Sequence, residues 1–134
     1  MAKPLLLNDP IYGFITVKSG IIKSIIEHPY FQRLRRIRQL GMTDLVYSGA
    51  HHTRFHHALG AMHLMTQAIE VLRSKGHVIS GEEAEASEIA VMLHDIGHGP
   101  FSHVSETALE RYADRSKLRP DQKKKKSTKS LPNK

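Results

Sequence analysis

The sequence predicts an all-α fold, a helical bundle, and two long helical patterns are the basis for this prediction. From Thr53 to about Lys75, apolar residues recur at helical spacing over most of the circumference, so this helix should be buried. The string Ser80-Gly81-Glu82-Glu83 forms a capping box, which predicts the start of another helix that ends near Gly97.

Shorter elements are predicted before these two helices. The string Asn8-Asp9-Pro10 is typical of a turn, and residues 11–17 of a short extended segment. Ser19 is the expected cap of a helix that ends near His28, because the residue before a proline disfavours helical geometry.

A second short helix should start at Pro29, which suits a first helical turn. Apolar residues recur every three positions up to Gly41 at Phe31, Leu34, Ile37 and Leu40. A short strand is predicted at residues 45–47. Ser102, after a turn at Gly99-Pro100, should cap a last helix to about Tyr112.

The composition changes abruptly after Ala113. Residues 115–134 hold nine of the 20 Lys and Arg and one of the 13 Asp and Glu, so this segment supplies the net charge of +7. So few apolar residues cannot offset the entropy of ordering, which predicts a disordered basic tail at residues 114–134. Residues 1–113 should form the folded domain.

Composition also limits the class of protein. The absence of cysteine excludes a disulfide framework and any thiolate metal site, and it fits a reducing compartment. No apolar stretch approaches the ~20 residues of a membrane span, and the N-terminus has no signal-peptide pattern. A cytoplasmic protein without a membrane partner is therefore expected.

Histidine is concentrated in two short stretches, which hold all of the ten histidines except His28 and His77. The adjacent His94 and Asp95 at a helix end, with His57 from the preceding helix, offer two imidazoles and a carboxylate. Such a mixed site suits Mn, Fe, Ni, Zn or Mg, and the ligand types alone do not choose among them. A bound metal can lower the pKa of a water for attack on phosphorus.

A structural role for the same residues has to be weighed, since a His-Asp pair at a helix end is often only a cap or a hydrogen bond. His98 would share a face with His94 if the helical turn continued, and Gly97 and Gly99 permit close backbone approach. A buried His57 would also need a polar partner. These features favour a metal site without excluding the structural role.

Five ordered segments carry a resemblance over residues 4–109. They are Asp9-Pro10-Ile11-Tyr12-Gly13, Pro29-Tyr30-Phe31-Gln32-Arg33-Leu34-Arg35, Gln39-Leu40-Gly41, Arg54-Phe55-His56-His57-Ala58-Leu59-Gly60 and the string from His94 to His103. In order and spacing they resemble the HD-domain metal phosphohydrolases, most closely the branch of deoxynucleoside triphosphate (dNTP) triphosphohydrolases. The implied fold is an HD-domain helical bundle.

The resemblance implies a metal centre and a reaction. His57, His94 and Asp95 would be the ligands of one divalent metal. A metal-bound hydroxide would attack the α-phosphorus of a dNTP, which gives a nucleoside and triphosphate.

It also implies the substrate contacts. Arg54, His98 and His103 would be the catalytic groups: Arg54 and His98 would bind the phosphates, and His103 would line the same pocket. Gln39 would contact the deoxyribose. A guanidinium presents a planar fork to phosphate oxygens. Charged groups of this kind stabilise the charge that develops at phosphorus.

The chain departs from this family pattern at its C-terminal side. The family completes its metal site with an aspartate from a helix far downstream, whereas only 39 residues follow Asp95 here. Asp114 and Asp121 are not expected to replace it. The bundle is therefore expected to be incomplete, with weaker metal affinity.

An alternative is a catalytically impaired, truncated HD-domain protein that acts as a binding or oligomerisation module. The basic tail could bind nucleic acid by neutralising phosphates. An incomplete bundle would leave apolar surface exposed, so a homo-oligomer is expected. His51, His52 and His56 are interpreted as loop or surface residues, and the Arg33–Arg36 run with Arg38 as a solvated face with ion pairs.

Overall fold

The computed structural model describes residues 4–101 and 103–112, and it is mostly helical. The described chain forms two units that divide after residue 102, and the helix α5 belongs to the second. The elements are β1 (Leu5–Asp9), β2 (Gly13–Val17), α1 (Gly20–Glu27), α2 (Pro29–Gln32), a first 3₁₀ turn (Arg33–Arg36), a second 3₁₀ turn (Thr43–Leu45), α3 (Arg54–Ser74), α4 (Gly81–Leu93) and α5 (His103–Tyr112).

The two strands form an antiparallel hairpin, in register from Leu5 opposite Val17 to Asp9 opposite Gly13. Asp9 Oδ1 accepts hydrogen bonds from the backbone N–H groups of Ile11 (2.8 Å) and Tyr12 (3.0 Å), which closes the turn. The extended segment is thus confirmed for Gly13–Val17. The turn begins at Pro10, two residues later than expected, because Asn8 and Asp9 still belong to β1, a strand that the sequence analysis missed.

One hydrophobic core unites the elements of the first unit. Because side chains alternate along a strand, β2 turns Ile15 and Val17 inward, and α3 and α4 pack along each other on the same core. Its buried members are Ile15, Val17, Ile22, Ile26, Phe31, Leu34, Ile37, Phe55, Ala58, Leu59, Met62 and Met92.

The helix that starts at Pro29 is shorter than predicted. It ends at Gln32, and after the first 3₁₀ turn the backbone of Ile37 is extended. The carbonyl of Ile37 accepts from Arg54 N–H at 2.8 Å, and that of His52 accepts from Gln39 N–H at 3.1 Å. These long-range bonds replace the predicted helix after residue 32, although Leu34 and Ile37 still reach the core.

The strand predicted at residues 45–47 is also wrong. The second 3₁₀ turn covers Thr43–Leu45, and the side chains of Leu45, Val46 and Tyr47 are exposed. An ion pair between Arg38 and Asp44 ties this segment to the chain before it.

The helix starts at Ser19, Thr53 and Ser80 are confirmed. Ser19 Oγ accepts from Ile22 N–H, and Ser80 and Glu83 form the reciprocal capping box. α4 ends at Leu93 and continues as turns through residue 97. The burial predicted for α3 holds in its first half, whereas in its second half Ile69 is buried and Leu72 is exposed.

The last predicted helix is confirmed as α5, whereas its expected cap, Ser102, and the tail at residues 114–134 lie outside the described residues. None of the helices within the described ranges combines the length and apolar character needed to cross a membrane.

Candidate metal centre

Asp95 is the residue on which the candidate site is built. It follows α4 in the turn of residues 94–97, where the chain leaves the helix, and it is one of the few buried charged residues, with 8% of its surface exposed. A carboxylate buried to this degree requires charged or hydrogen-bonding partners. Side chains from three segments supply them: the segment that holds Gln39, the start of α3, and the turn after α4.

Two imidazoles lie beside this carboxylate. His57 Nε2, from the first turns of α3, is 3.7 Å from Asp95 Oδ2, and His94 Nε2 is 3.5 Å from Asp95 Oδ1. The two Nε2 atoms are 3.3 Å apart. His57, His94 and Asp95 each offer one possible metal-ligating atom, and these three atoms lie within 4.8 Å of one another.

The ring of His94 is oriented by its own helix. Its Nδ1 donates a hydrogen bond to the carbonyl of Val91 at 2.5 Å. That bond places the proton on Nδ1 and leaves the lone pair of Nε2 directed at the cluster. Metal-binding histidines are commonly fixed in this way by a backbone carbonyl.

The protonation states also suit a cation. Burial lowers the pKa of His57, and although the Asp95 charge opposes this, the net shift is downward, which favours the neutral imidazole. Burial alone would raise the pKa of Asp95, but the hydrogen bond from Gln39 and the charge of Arg54 outweigh it and hold the pKa below its ordinary value. Asp95 is thus a carboxylate and His57 a neutral base near pH 7.

Three further side chains contact Asp95. Gln39 Nε2 donates to Oδ2 at 3.3 Å, and Arg54 Nη1 donates to the same oxygen at 2.6 Å. His98 Nε2 lies 3.4 Å from Oδ1. Arg54 is almost fully enclosed, with 2% of its surface exposed, so its charge acts in a medium of low polarity.

Six of the seven site residues predicted from the sequence therefore surround one carboxylate: Gln39, Arg54, His57, His94, Asp95 and His98. The seventh, His103, begins α5 in the second unit, and its side chain is outside the described part of the structure. The turn after α4, and not a continued helix, brings His98 to the same carboxylate as His94.

Arg33 is a neighbour that the sequence analysis missed. Its Nη2 donates to the carbonyl of Ile96 at 2.6 Å and its Nη1 to the carbonyl of His98 at 3.2 Å. It had been assigned to a solvated arginine face. The sequence holds no signal that separates Arg33 from Arg35, which instead stacks on Phe55 at 3.6 Å.

A cavity of about 680 Å³ adjoins the cluster, and His57 belongs to both. The hairpin turn contributes Ile11 and Tyr12 to its wall, and α3 contributes Gly60 and Leu64. Its volume lies in the range of ~300–1,000 Å³ that is usual for small-molecule sites.

The remaining histidines near α3 have local partners. His56 Nδ1 is 2.9 Å from Thr53 Oγ1 and accepts from Thr53 N–H at 3.3 Å, so it helps to cap α3. His63 packs on the ring of Tyr12 with centroids 5.2 Å apart. The surface interpretation of His56 fits this arrangement.

The fold and this cluster define a known class of protein. The HD domain family model matches residues 54–128, which include the Arg54 segment and the His94-Asp95 pair. The chain belongs to the HD-domain family, within the superfamily of HD-domain phosphohydrolases.

Individual relatives agree with this assignment. The chain is 42% identical over 99 residues to the chicken (Gallus gallus) deoxynucleoside triphosphate triphosphohydrolase SAMHD1, a match that covers 72% of this chain and 16% of that protein. It is 37% identical over 106 residues to the uncharacterized protein YwfO of Bacillus subtilis, which covers 79% of this chain and 24% of YwfO.

A solved structure extends the likeness to the fold. A phosphohydrolase from Bacteroides thetaiotaomicron superposes with a TM-score of 0.75 at 54% identity, over 78% of this chain and 26% of that one. The chain thus spans between about a sixth and about a quarter of the length of these relatives.

The donor set fits the divalent metal that an HD domain implies. Two imidazoles and one carboxylate are suitable ligands for borderline divalent ions. The hydrogen bond from His94 Nδ1 to Val91 leaves the Nε2 lone pair of His94 available to such an ion. The set does not discriminate among Mn, Fe, Ni, Zn and Mg. His57, His94 and Asp95 are the residues that could hold the ion.

Proposed function

We propose that this chain contributes the metal centre of a phosphohydrolase that cleaves nucleoside triphosphates, with dNTPs favoured, into a nucleoside and triphosphate. The observation that carries the proposal is the convergence of two candidate metal ligands, His57 and His94, and the buried Arg54 on the third candidate ligand, Asp95. The resemblance of Gln39 to the deoxyribose-contacting glutamine of the dNTP triphosphohydrolases supports the choice of sugar.

The proposed roles follow from the chemistry of each group. A divalent ion held by His57, His94 and Asp95 would supply Lewis acidity toward a phosphate oxygen and would acidify a water. Arg54 would bind phosphate oxygens through the nitrogens of its fork that do not face Asp95. His98, 3.4 Å from Asp95, would stabilise charge that develops on the transferred group.

The cavity beside His57 supports a substrate of nucleotide size. Its lining combines apolar side chains, among them Ile11, Tyr12 and Leu64, with the imidazole of His57. An apolar wall next to a few polar groups is typical of sites that bind a flat heterocycle and orient its charged end.

A single substitution tests the proposal directly. In the His94→Ala variant we expect loss of bound metal and of triphosphate release, because one of three protein ligands is gone. Bound metal is measured by elemental analysis, and triphosphate release with each of the four dNTPs in the presence of Mn or Mg.

His77→Ala is the matched control, since His77 is exposed and lies in the connection between α3 and α4, outside the cluster. It should retain both the metal and the turnover of the unmodified chain. Triphosphate release that survives His94→Ala would contradict the proposed function.

The charge of residues 115–134 supports a second proposal, that the tail binds nucleic acid by phosphate neutralisation. Deletion of residues 115–134 should weaken DNA or RNA binding and reduce its dependence on salt concentration, measured by a fluorescence titration at several salt concentrations. Binding that is unchanged by the deletion would remove the tail as a binding segment.

A further inference from the structure

His94 and Asp95 lie in the turn at residues 94–97 that follows α4, and His98 comes directly after it. Among the described residues, two short-range backbone bonds outside α4 lie in this turn: Ile96 N–H donates to the carbonyl of Leu93 at 3.0 Å, and His98 N–H donates to the carbonyl of Asp95 at 3.1 Å. Both bonds lie within the turn and tie it to nothing outside α4. The orientation of three cluster side chains depends on this short segment.

Arg33 binds the backbone of this turn from outside, whereas Gln39 and Arg54 contact it through the Asp95 side chain. The Arg33 guanidinium donates one hydrogen bond from each terminal nitrogen, to the carbonyls of Ile96 and His98. These residues lie 63 and 65 positions further along the sequence. These carbonyls lie beyond the end of α4, where no helical N–H group can pair with them, so a side-chain donor suits this place.

The arginine is itself held in place. The Tyr30 ring lies under its guanidinium, 4.8 Å from the ring centroid, and the residue is only partly exposed. Arg33 begins the first 3₁₀ turn, between the buried residues Phe31 and Leu34. The buried neighbours fix the backbone of Arg33 in the core, and its side chain connects this core to the turn.

We infer that Arg33 is a positioning residue of the metal centre: it fixes the turn after α4 so that His94, Asp95 and His98 keep the spacing that a divalent ion requires. It touches neither the ligand atoms nor the cavity. The inference rests on the proposed function for its metal, but the effect on the turn itself does not depend on any ion.

The two carbonyl acceptors require an arginine at position 33 and not merely a positive charge. A guanidinium places its donors in a fixed planar fork that spans two acceptors, whereas lysine has all its donors on one nitrogen. Arg33→Met should therefore release the turn, and Arg33→Lys should restore it only in part. Arg36→Met is the matched control, because Arg36 is exposed on the same 3₁₀ turn.

The first measurement is made on the metal-free protein by NMR. In Arg33→Met we expect the backbone amide signals of Gly97 and His98 to shift and broaden, while those of Glu83 and its neighbours at the other end of α4 stay unchanged. Turn amides that match those of the unmodified chain would overturn the inference.

The second measurement is the affinity for Mn²⁺, by titration of the folded variants. Loss of a hydrogen-bond partner of a metal ligand typically weakens binding about 10- to 100-fold, and we take this as the scale for a residue that fixes the backbone of the turn that carries two of the ligands. We expect that loss for Arg33→Met, a smaller one for Arg33→Lys and none for Arg36→Met. A lower unfolding temperature with unchanged Mn²⁺ affinity would show that Arg33 only stabilises the fold, and would overturn the inference.

The outcomes also separate the two proposals. If the unmodified chain binds no Mn²⁺, the proposed function fails, and the amide signals of the turn alone decide the role of Arg33. If the unmodified chain binds Mn²⁺ and Arg33→Met binds it equally well, the proposed function stands and the positioning role is rejected.

Discussion

Asp95→Ala should remove metal binding and destabilise the fold in the same step. The carboxylate is a candidate ligand and is also the partner of the buried Arg54, 2.6 Å away. Breaking a buried ion pair by removing one member costs about 3–5 kcal/mol, because the other charge loses its compensation. We expect a fall of about 3 kcal/mol in the free energy of unfolding, measured by urea denaturation of the metal-free protein.

Asp95→Asn separates the two effects. The amide oxygen of asparagine can still accept a hydrogen bond from Arg54, so the loss of stability should be smaller than for alanine. Metal binding should be lost all the same, because a neutral amide is a poor substitute for the carboxylate. An Asp95→Ala protein that unfolds like the unmodified chain would contradict the structural role of this pair.

The contribution of Asp95 to the free energy of unfolding should decrease at acid pH. The pKa of Asp95 is lowered in the folded state, so the unfolded chain binds the proton more readily. The carboxylate therefore stabilises the fold at pH values above its unfolded pKa, and this contribution is lost as the pH falls through the lower, folded pKa. Asp95→Asn should show a weaker dependence in that acid range.

Local signals in the sequence predicted the helices well. Ser19 and Ser80 stand directly before apolar helical patterns, and their side chains accept backbone hydrogen bonds from residues only three positions ahead. Such signals act within one turn of chain, so they can be found without knowledge of the fold. The confirmed starts of α1 and α4 depend on them.

The wrong predictions concern segments whose structure is determined by contacts with residues distant in the sequence. The spacing of Phe31, Leu34 and Ile37 fits a helix, yet the carbonyl of Ile37 bonds to Arg54 N–H and leaves helical geometry. The strand β1 was missed because residues 5–7 are three leucines with no alternation, and only its pairing with β2 makes it a strand. Neither pairing can be read from local sequence.

The candidate site likewise contains residues that the sequence indicated and one, Arg33, that it did not. Spacing of histidine and aspartate indicated a metal site, but only the family resemblance selected His57 from the five histidines of its stretch. The geometry adds the reason for that selection: His57 Nε2 lies 3.3 Å from His94 Nε2, whereas His56 turns to Thr53. Arg33 could not be selected, because its two acceptors are backbone carbonyls more than 60 positions away.

Arg54→Met should separate turnover from metal binding. Arg54 is no ligand, and its positive charge opposes a cation beside Asp95, so its removal should leave the metal bound. Its loss should lower the rate of triphosphate release about 100- to 1,000-fold, as expected when one group that stabilises transition-state charge is removed. The rate is measured at saturating Mn²⁺ and dNTP, and bound metal by elemental analysis.

Stability supplies a second readout for the same variant. Without metal, Arg54→Met leaves Asp95 buried and without its strongest cationic partner, so the unfolding temperature should fall. A bound ion replaces the lost positive charge and binds only the folded state, so added Mn²⁺ should raise the unfolding temperature more in the variant than in the unmodified chain.

Arg54→Lys completes the comparison, because it retains the charge but not the planar fork that spans a carboxylate and a phosphate. It should bind metal and show a rate between those of Arg54→Met and the unmodified chain. Equal loss of metal and turnover in Arg54→Met would mean that Arg54 acts only by holding Asp95 in place, and the phosphate contact would have to be assigned elsewhere. Retained metal with the rate loss would mean that Arg54 acts on the substrate and is not needed to hold the ion.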